Sequence, residues 1–225
     1  MLQKLAENIW VAAAPQRFLG LQIGTRMTIV RCKGEKLFLH SPVPLTQELR
    51  ESLPALGEVG AIVAPNRYHH LHVKDYIEKY PEALVCAAPG LPEKRKDLRF
   101  HDVLREEPPE AWEGNLEQTL VRGMPALNEV VFFHPASRTL ILTDLCFNYP
   151  PSESSLLRLY RRWIQDYEAK FAMARLIKLM VRDRQALESS CERILRWDFD
   201  RVTVTHGEVL ESGGKEAFRN AVRWL

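Results

Sequence analysis

Apolar residues come in short runs broken by polar turns over the first two thirds of the chain, and at helical spacing over much of the rest. NIWVAAAP and TRMTIVRC are rich in β-branched and aromatic residues and predict strands. Lys33-Gly34 predicts a turn, and KLFLHSPVP a third strand, so the opening reads as an antiparallel meander. Leu45, Leu49, Leu53 and Leu56 then form a stripe at helical spacing, with Thr46 placed to cap it. Ala61–Ala64 predicts a strand that stops at Pro65. A polar loop holding His69, His70 and His72 follows, then a helix packing through Tyr76, Ile77 and Tyr80. ALVCAAP predicts another buried strand. PGLPEKRKDLRF and HDVLREEPPEAWEGN read as loops, the first with a solvated KRK turn and the second acidic and proline-rich.

LEQTLVRG, NEVVFFHP and SRTLILTDLCFN predict three more strands, the last ending at Asp144. Residues from about 152 to 197 read as helical, with Ser152 or Ser154 as the opening cap and breaks near Lys170 and Asp183. FDRVTVTHGEVL predicts a strand ending at His206-Gly207, and EAFRNAVRWL a closing helix. No sequence period and no low-complexity linker divides these elements. The expectation is one α/β domain over residues 1–225, strands first and helices after in each half.

Polar residues that directly follow apolar β runs are the candidates for chemistry: His40, the Asn66–His72 loop, Asp144 and His206. Strand ends in a layered α/β fold converge on one mouth, where ligands bind. Imidazole and carboxylate donors suit zinc, iron or manganese. Each residue also has an ordinary role available. His69 and His70 serve loop polarity, His72 can pair with Asp75, Asp144 can cap a turn, and His40 can bond backbone before Ser41-Pro42. His134 and His101 read as surface residues. Asn66 and Arg67 offer a second use, an anion grip. Arg158, Arg161, Arg162, Arg175, Lys178 and Arg182 make the late helical block basic and amphipathic, which favours arginines in water over a membrane-surface helix.

The combination APNRYHHLHVKDY, NEVVFFHPASRTLILTDLCFN and VTHGEV resembles the DUF4336 family, placed beside the metallo-β-lactamase superfamily. The resemblance runs over nearly the whole chain and is most specific around His40 and in the TDLCFN text. It implies a four-layer αββα sandwich with a metal-binding cleft at one edge. It also implies that Asp144 matches the bridging aspartate and His206 the late ligand histidine. His40 stands where an early aspartate is usual. In the signature loop, Asn66 and Tyr68 fall on the first two ligand histidines, His70 on the aspartate and Leu71 on the next histidine. A shift of register brings His69 or His70 onto ligand positions instead. The superfamily's middle histidine has no counterpart, since GMPALNE offers only Met124 and Asn128.

The expected metal set is therefore His69 or His70 with Asp144 and His206, holding one zinc or iron ion, with an ion-free site as the open alternative. Asp144 is the expected catalytic residue. His40, Asn66 and Arg67 are the expected substrate-binding residues. Two functions follow: a metal-dependent hydrolase with a reduced ligand set, or a binding protein that kept the fold and lost the chemistry.

Composition narrows the setting. The 225 residues carry 31 Lys+Arg against 29 Asp+Glu, a net charge of +2 that gives no case for a nucleic-acid partner. Cys32, Cys86, Cys146 and Cys191 are scattered, with no CxxC pair, and read as reduced thiols. Glu7 and Asn8 interrupt any leader-like start, and no apolar run reaches the roughly 20 residues of a membrane span. The expectation is a cytoplasmic protein acting on a small molecule, with no membrane partner.

Overall fold

The computed structural model of the chain describes residues 2–18, 21–150 and 170–225. Strands β1 (Leu2–Ala6) and β2 (Ile9–Ala14) open the chain, and β3 (Arg17–Phe18) and β4 (Leu21–Gln22) make a small hairpin. β5 (Thr25–Arg31) and β6 (Lys36–His40) complete an antiparallel meander. From β6 onward the connections are helical and the pairing turns parallel, as crossovers require. Helix α1 (Gln47–Leu56) leads to β7 (Glu58–Ala64), α2 (Val73–Lys79) to β8 (Leu84–Ala87), and α3 (Leu91–Lys94) to the edge strand β9 (Asp102–Val103). The result is a seven-stranded sheet in the order β1-β2-β5-β6-β7-β8-β9.

The second sheet has β10 (Glu117–Leu120), β11 (Val130–His134) and β12 (Thr139–Ile141) antiparallel. A two-stranded ladder of β13 (Phe147–Asn148) and β14 (Phe171–Ala172) follows. Helices α4 (Arg175–Leu179) and α5 (Arg184–Arg196) then lead to β15 (Arg201–Thr203), parallel to β12, and α6 (Gly214–Val222) follows.

Side-chain alternation along the strands builds four layers, because successive residues point to opposite faces. Leu37 and Leu39 of β6 and Ile62 and Ala64 of β7 pack with Leu49, Leu53, Val73 and Tyr76 of the helices on the outer face. Phe38, Ala61 and Val63 point the other way and meet Val130, Phe132 and Ile141 of the second sheet. Val131, Phe133 and Leu140 face outward onto Leu187, Cys191, Ile194 and Phe218. Thr28 and Thr203 join hydroxyls across the interior at 3.1 Å. This is the αββα sandwich.

Thr46 caps α1 by accepting the Leu49 N–H at 3.3 Å, and Asp183 caps α5 by accepting the Ala186 N–H at 3.0 Å. Leu2–Ala6 is a strand where no element was expected, its apolar alternation being too sparse to announce one. Three expectations are corrected. Leu91–Lys94 is a short helix inside an expected loop, started by a proline in its first turn. Phe171–Ala172 interrupts the expected helical run, because both residues pair with Phe147–Asn148. His134 is buried at 2% exposure and bonds Ser137 Oγ at 2.7 Å, where a surface residue was expected. The expected caps Ser152 and Ser154, and Arg158, Arg161 and Arg162, lie outside the described residues.

Gly207 explains the His-Gly ending of the late strand. Its φ is +101°, and a Cβ there would stand 2.2 Å from the Asn148 carbonyl oxygen. The Asn148 backbone passes that close because it accepts the Glu208 N–H at 2.7 Å and bridges the two segments. Gly207→Ala is expected to lower unfolding free energy by about 2 kcal/mol or more, through strain and clash together. Urea denaturation would read it as a drop in midpoint at unchanged slope.

Candidate metal centre

Four strand ends meet at one edge of the sandwich. β6 delivers His40-Ser41, β7 delivers Pro65-Asn66, β12 runs on to Thr143-Asp144, and β15 runs on to Thr205-His206. The loop after β7 is fixed by Asn66. Its Oδ1 accepts the N–H groups of Tyr68 and His69, both at 2.8 Å, which is an Asx-type turn. Its Nδ2 donates to Asp144 Oδ2 at 2.8 Å. One amide thus turns the loop and anchors it to the opposite sheet.

That turn points His69 at Asp144. His69 Nε2 lies 3.2 Å from Asp144 Oδ1, His206 Nε2 lies 3.4 Å from the same oxygen, and the two Nε2 atoms are 3.2 Å apart. These three residues can each offer one ligand atom to a common point. Ligand atoms around a tetrahedral zinc stand roughly 3.3 Å from one another, so the donors fit. The outer nitrogens support the same use. His206 Nδ1 donates to the Gly24 carbonyl at 2.7 Å, and His69 Nδ1 bonds Ser41 Oγ at 2.8 Å. His206 Nε2, on the other side of the ring from the Gly24 bond, faces both the Asp144 carboxylate oxygen and His69 Nε2, so a shared proton or a cation can sit among the three atoms. Metal-binding histidines are commonly held through their other ring nitrogen in this way. Phe147 stacks on the His206 ring, with centroids 5.6 Å apart.

The Asp144 carboxyl is buried, which alone would favour its neutral form. The His69 and His206 imidazoles beside it win, and hold it far below the usual carboxylate range. Beneath it lies Glu129, fully buried. Its Oε1 accepts the Thr143 N–H at 2.8 Å, and its Oε2 accepts those of Asp144 and Leu145 at 2.7 and 3.0 Å. Burial, and next the Asp144 charge, push the Glu129 carboxyl up to about 8, against the pull of these N–H donors. Glu129 was not among the expected residues. The available signal was a charged residue opening the apolar run VVFF, where an unpaired acid has no place.

The other expected residues lie elsewhere. His70 lines the neighbouring cavity, but its Nδ1 accepts from Arg95 Nη1 at 2.6 Å. Burial, then the Arg95 charge, lower its pKa to about 4. His40 is sealed between the sheets at 0% exposure, edge-on to Phe132, with Nε2 3.3 Å from Thr143 Oγ1. It therefore has no path to a substrate, and neither does the buried Asn66. Arg67 donates to the Pro125 carbonyl at 3.0 Å and does not line the cavity. His72 begins α2 without a side-chain cap. His101 Nδ1 accepts the Val85 N–H at 3.0 Å.

The three donors open onto a cavity of about 400 Å³ whose walls include Ile23, Leu127, Phe147, Ile177 and Met180. A depression of about 610 Å³ at Gly57–Val59 and Tyr80–Ala83 lies among the N-terminal ends of the parallel strands and carries no comparable donor set.

The family model for a domain of unknown function, DUF4336, matches residues 6–164. The chain belongs to this family. No curated protein matches it. Among solved structures it is similar to a metallo-β-lactamase from Pontibacter korlensis, at 14% identity and a TM-score of 0.66, covering 99% of this chain and 98% of that one. It is also similar to the metallo-β-lactamase FIM-1 from Pseudomonas aeruginosa in its mono-zinc form, at 10% identity and a TM-score of 0.65, covering 100% and 95%. DIM-1 metallo-β-lactamase exposed to ceftazidime gives 14%, 0.68, 100% and 96%. The DUF4336 chain therefore has the metallo-β-lactamase fold. No described helix is long and apolar enough to cross a membrane.

Two outcomes are expected from this geometry. Glu129→Ala strands the N–H groups of Thr143, Asp144 and Leu145, and unfolding free energy is expected to fall by about 3 kcal/mol or more, read by urea denaturation. His40 is held neutral: burial first, and His69 next, lower its pKa to about 3. The folded state then binds fewer protons than the unfolded state between about pH 6.5 and 3, so stability falls as pH drops through that window. The His40 contribution is about 2 kcal/mol between pH 7 and pH 5. A His40→Gln variant, compared across the same range, should show a correspondingly shallower loss.

Proposed function

We propose that this protein is a metal-dependent hydrolase with a reduced ligand set, in which His69, Asp144 and His206 hold one zinc or iron ion. The observation that carries the reading is the meeting of three donor atoms, 3.2 to 3.4 Å apart, with the outer nitrogen of each imidazole already engaged. A single ion agrees with the mono-zinc form in which one structural neighbour was solved. Such an ion supplies Lewis acidity toward a carbonyl and acidifies a water.

The chain's own residues do the rest. Asn66 holds Asp144 Oδ2 so that Oδ1 faces the imidazoles. Gly24 and Ser41 fix the two rings. Phe147 covers one face of His206 and keeps bulk water from it. His69, Asp144 and His206 all line the cavity, so a small molecule seated there meets the donors directly. Asp144, whose carboxyl the two imidazoles hold well below the usual carboxylate range, faces both rings through one oxygen and is the residue whose removal should do most damage.

Elemental analysis of the purified protein tests the proposal. About one equivalent of zinc or iron per chain is expected, lost in Asp144→Ala and His206→Ala. Hydrolysis of p-nitrophenyl acetate is expected to fall about a hundredfold or more in the same variants. Ser41→Ala, which removes only an outer partner, should weaken the metal by about tenfold. A folded protein that carries no metal and takes up neither zinc nor iron would overturn the proposal and leave a non-catalytic binding role.

A further inference from the structure

The described residues with large exposed hydrophobic side chains are Phe18, Tyr68, Leu71, Leu176 and Leu179, at 43 to 76% exposure. They are not scattered. Phe18, Tyr68, Leu71 and Leu176 all border the one cavity that holds the metal donors, and Leu179 lies one helical turn beyond Leu176 on α4. Single exposed leucines need no explanation, but their gathering at one mouth does. The interior continues the pattern, with Leu127, Phe147, Ile177 and Met180 below the rim.

The charges point the same way. Lys94 is the one lysine or arginine among the described lining residues. Its ammonium already donates to the Arg67 carbonyl at 2.7 Å and sits 4.7 Å from the Tyr68 ring centroid. The neighbouring Arg95 is spent on Asp97 and His70. Nothing among the described lining residues matches the forked, converging donors that a phosphate needs. The volume, about 400 Å³, sits near the small end for ligand sites.

We infer that the substrate is a small uncharged ester with a predominantly apolar acyl or aryl group, which enters between Phe18, Leu71 and Leu176 and lies against Phe147 and Met180 with its carbonyl toward Asp144 and the two imidazoles. This rests on the hydrolase reading above. Water adds to the acyl carbon, the bond to the alkoxy oxygen breaks, and the two protons of water end on the acid and the released alcohol, so the products are one carboxylic acid and one alcohol.

Methyl ketones separate recognition from hydrolysis, since they carry the carbonyl but have no bond to hydrolyse. Binding of methyl ethyl, methyl butyl and methyl hexyl ketone to the metal-free full chain is measured by ligand-observed magnetic resonance, with methyl phosphate as the charged probe. Affinity is expected to rise with each pair of methylenes, up to roughly fifteenfold at full burial, and methyl phosphate is expected not to compete. Leu71→Asp and Leu176→Asp, at exposed positions the fold tolerates, should each flatten the ladder by at least about threefold per step while circular dichroism stays unchanged. Equal affinity across the ketones, or tighter binding of methyl phosphate, overturns the inference. With the zinc-loaded protein the same outcomes divide further. A steep ladder without ester hydrolysis sinks the hydrolase reading and keeps the apolar site, whereas phosphodiester hydrolysis with a flat ladder does the reverse.

Discussion

The side chain of Asn66 ties the two sheets together at the edge where the donors sit. Its carbonyl oxygen holds the loop that follows β7, and its amide nitrogen reaches the acid that ends β12. Three consequences come from that one group. His69, and not His70, turns inward. Asp144 presents one oxygen to the imidazoles, with the other occupied. Glu129, 3.4 Å from the same nitrogen, is drawn into the cluster from the second sheet. A buried amide that makes all of these bonds costs little, whereas a partly satisfied one would cost several kcal/mol. The site geometry is therefore held by the same bonds that register the two halves.

The four-layer sandwich was implied by the family resemblance, and local strand alternation is what builds it. Phe38 and Leu39 need no partner to declare opposite faces, and the same is true of Phe132 and Phe133. The convergence of strand ends followed from topology, which is why Asp144 and His206 were in view from the start. The choice among His69, His70 and His72 was not legible. The loop has no period, and aligning it with the superfamily places Asn66, Tyr68, His70 and Leu71 on ligand positions, passing over the histidine that the structure turns toward Asp144. An Asx turn sets which side chain points in, and that depends on what lies across the cleft. The cavity was invisible for the same reason, since Phe18, Leu71, Leu127, Phe147 and Met180 are far apart in sequence.

His40 illustrates a buried polar group whose meaning changed with context. It is the last residue of β6, and its side chain falls on the inter-sheet face beside Phe132 and Thr143. It does not touch the donors. The residue after it does, through Ser41 Oγ, and Ser41 holds a left-handed backbone at φ 56° to reach His69. Such a conformation costs a non-glycine residue of the order of 1 kcal/mol and usually persists where the surroundings require it. Here the accompanying contact is the 2.8 Å bond between Ser41 Oγ and His69 Nδ1.

The polar cluster and the apolar cavity depend on each other. Lone pairs aimed at a common point are strong only where water is scarce, because the local dielectric sets the scale of every interaction among them. The hydrophobic walls supply that scarcity on the open side, and Glu129 with its ring of backbone N–H groups supplies order on the closed side. Removing either leaves the same three residues in sequence but not the same chemistry. A polar cavity would let water solvate Asp144 and loosen its hold on the imidazoles. An apolar residue at position 129 would strand three N–H groups and release the turn that carries the acid. The donor set is thus a product of its two boundaries, one dry and one densely hydrogen-bonded, and not of three residues that happen to be near.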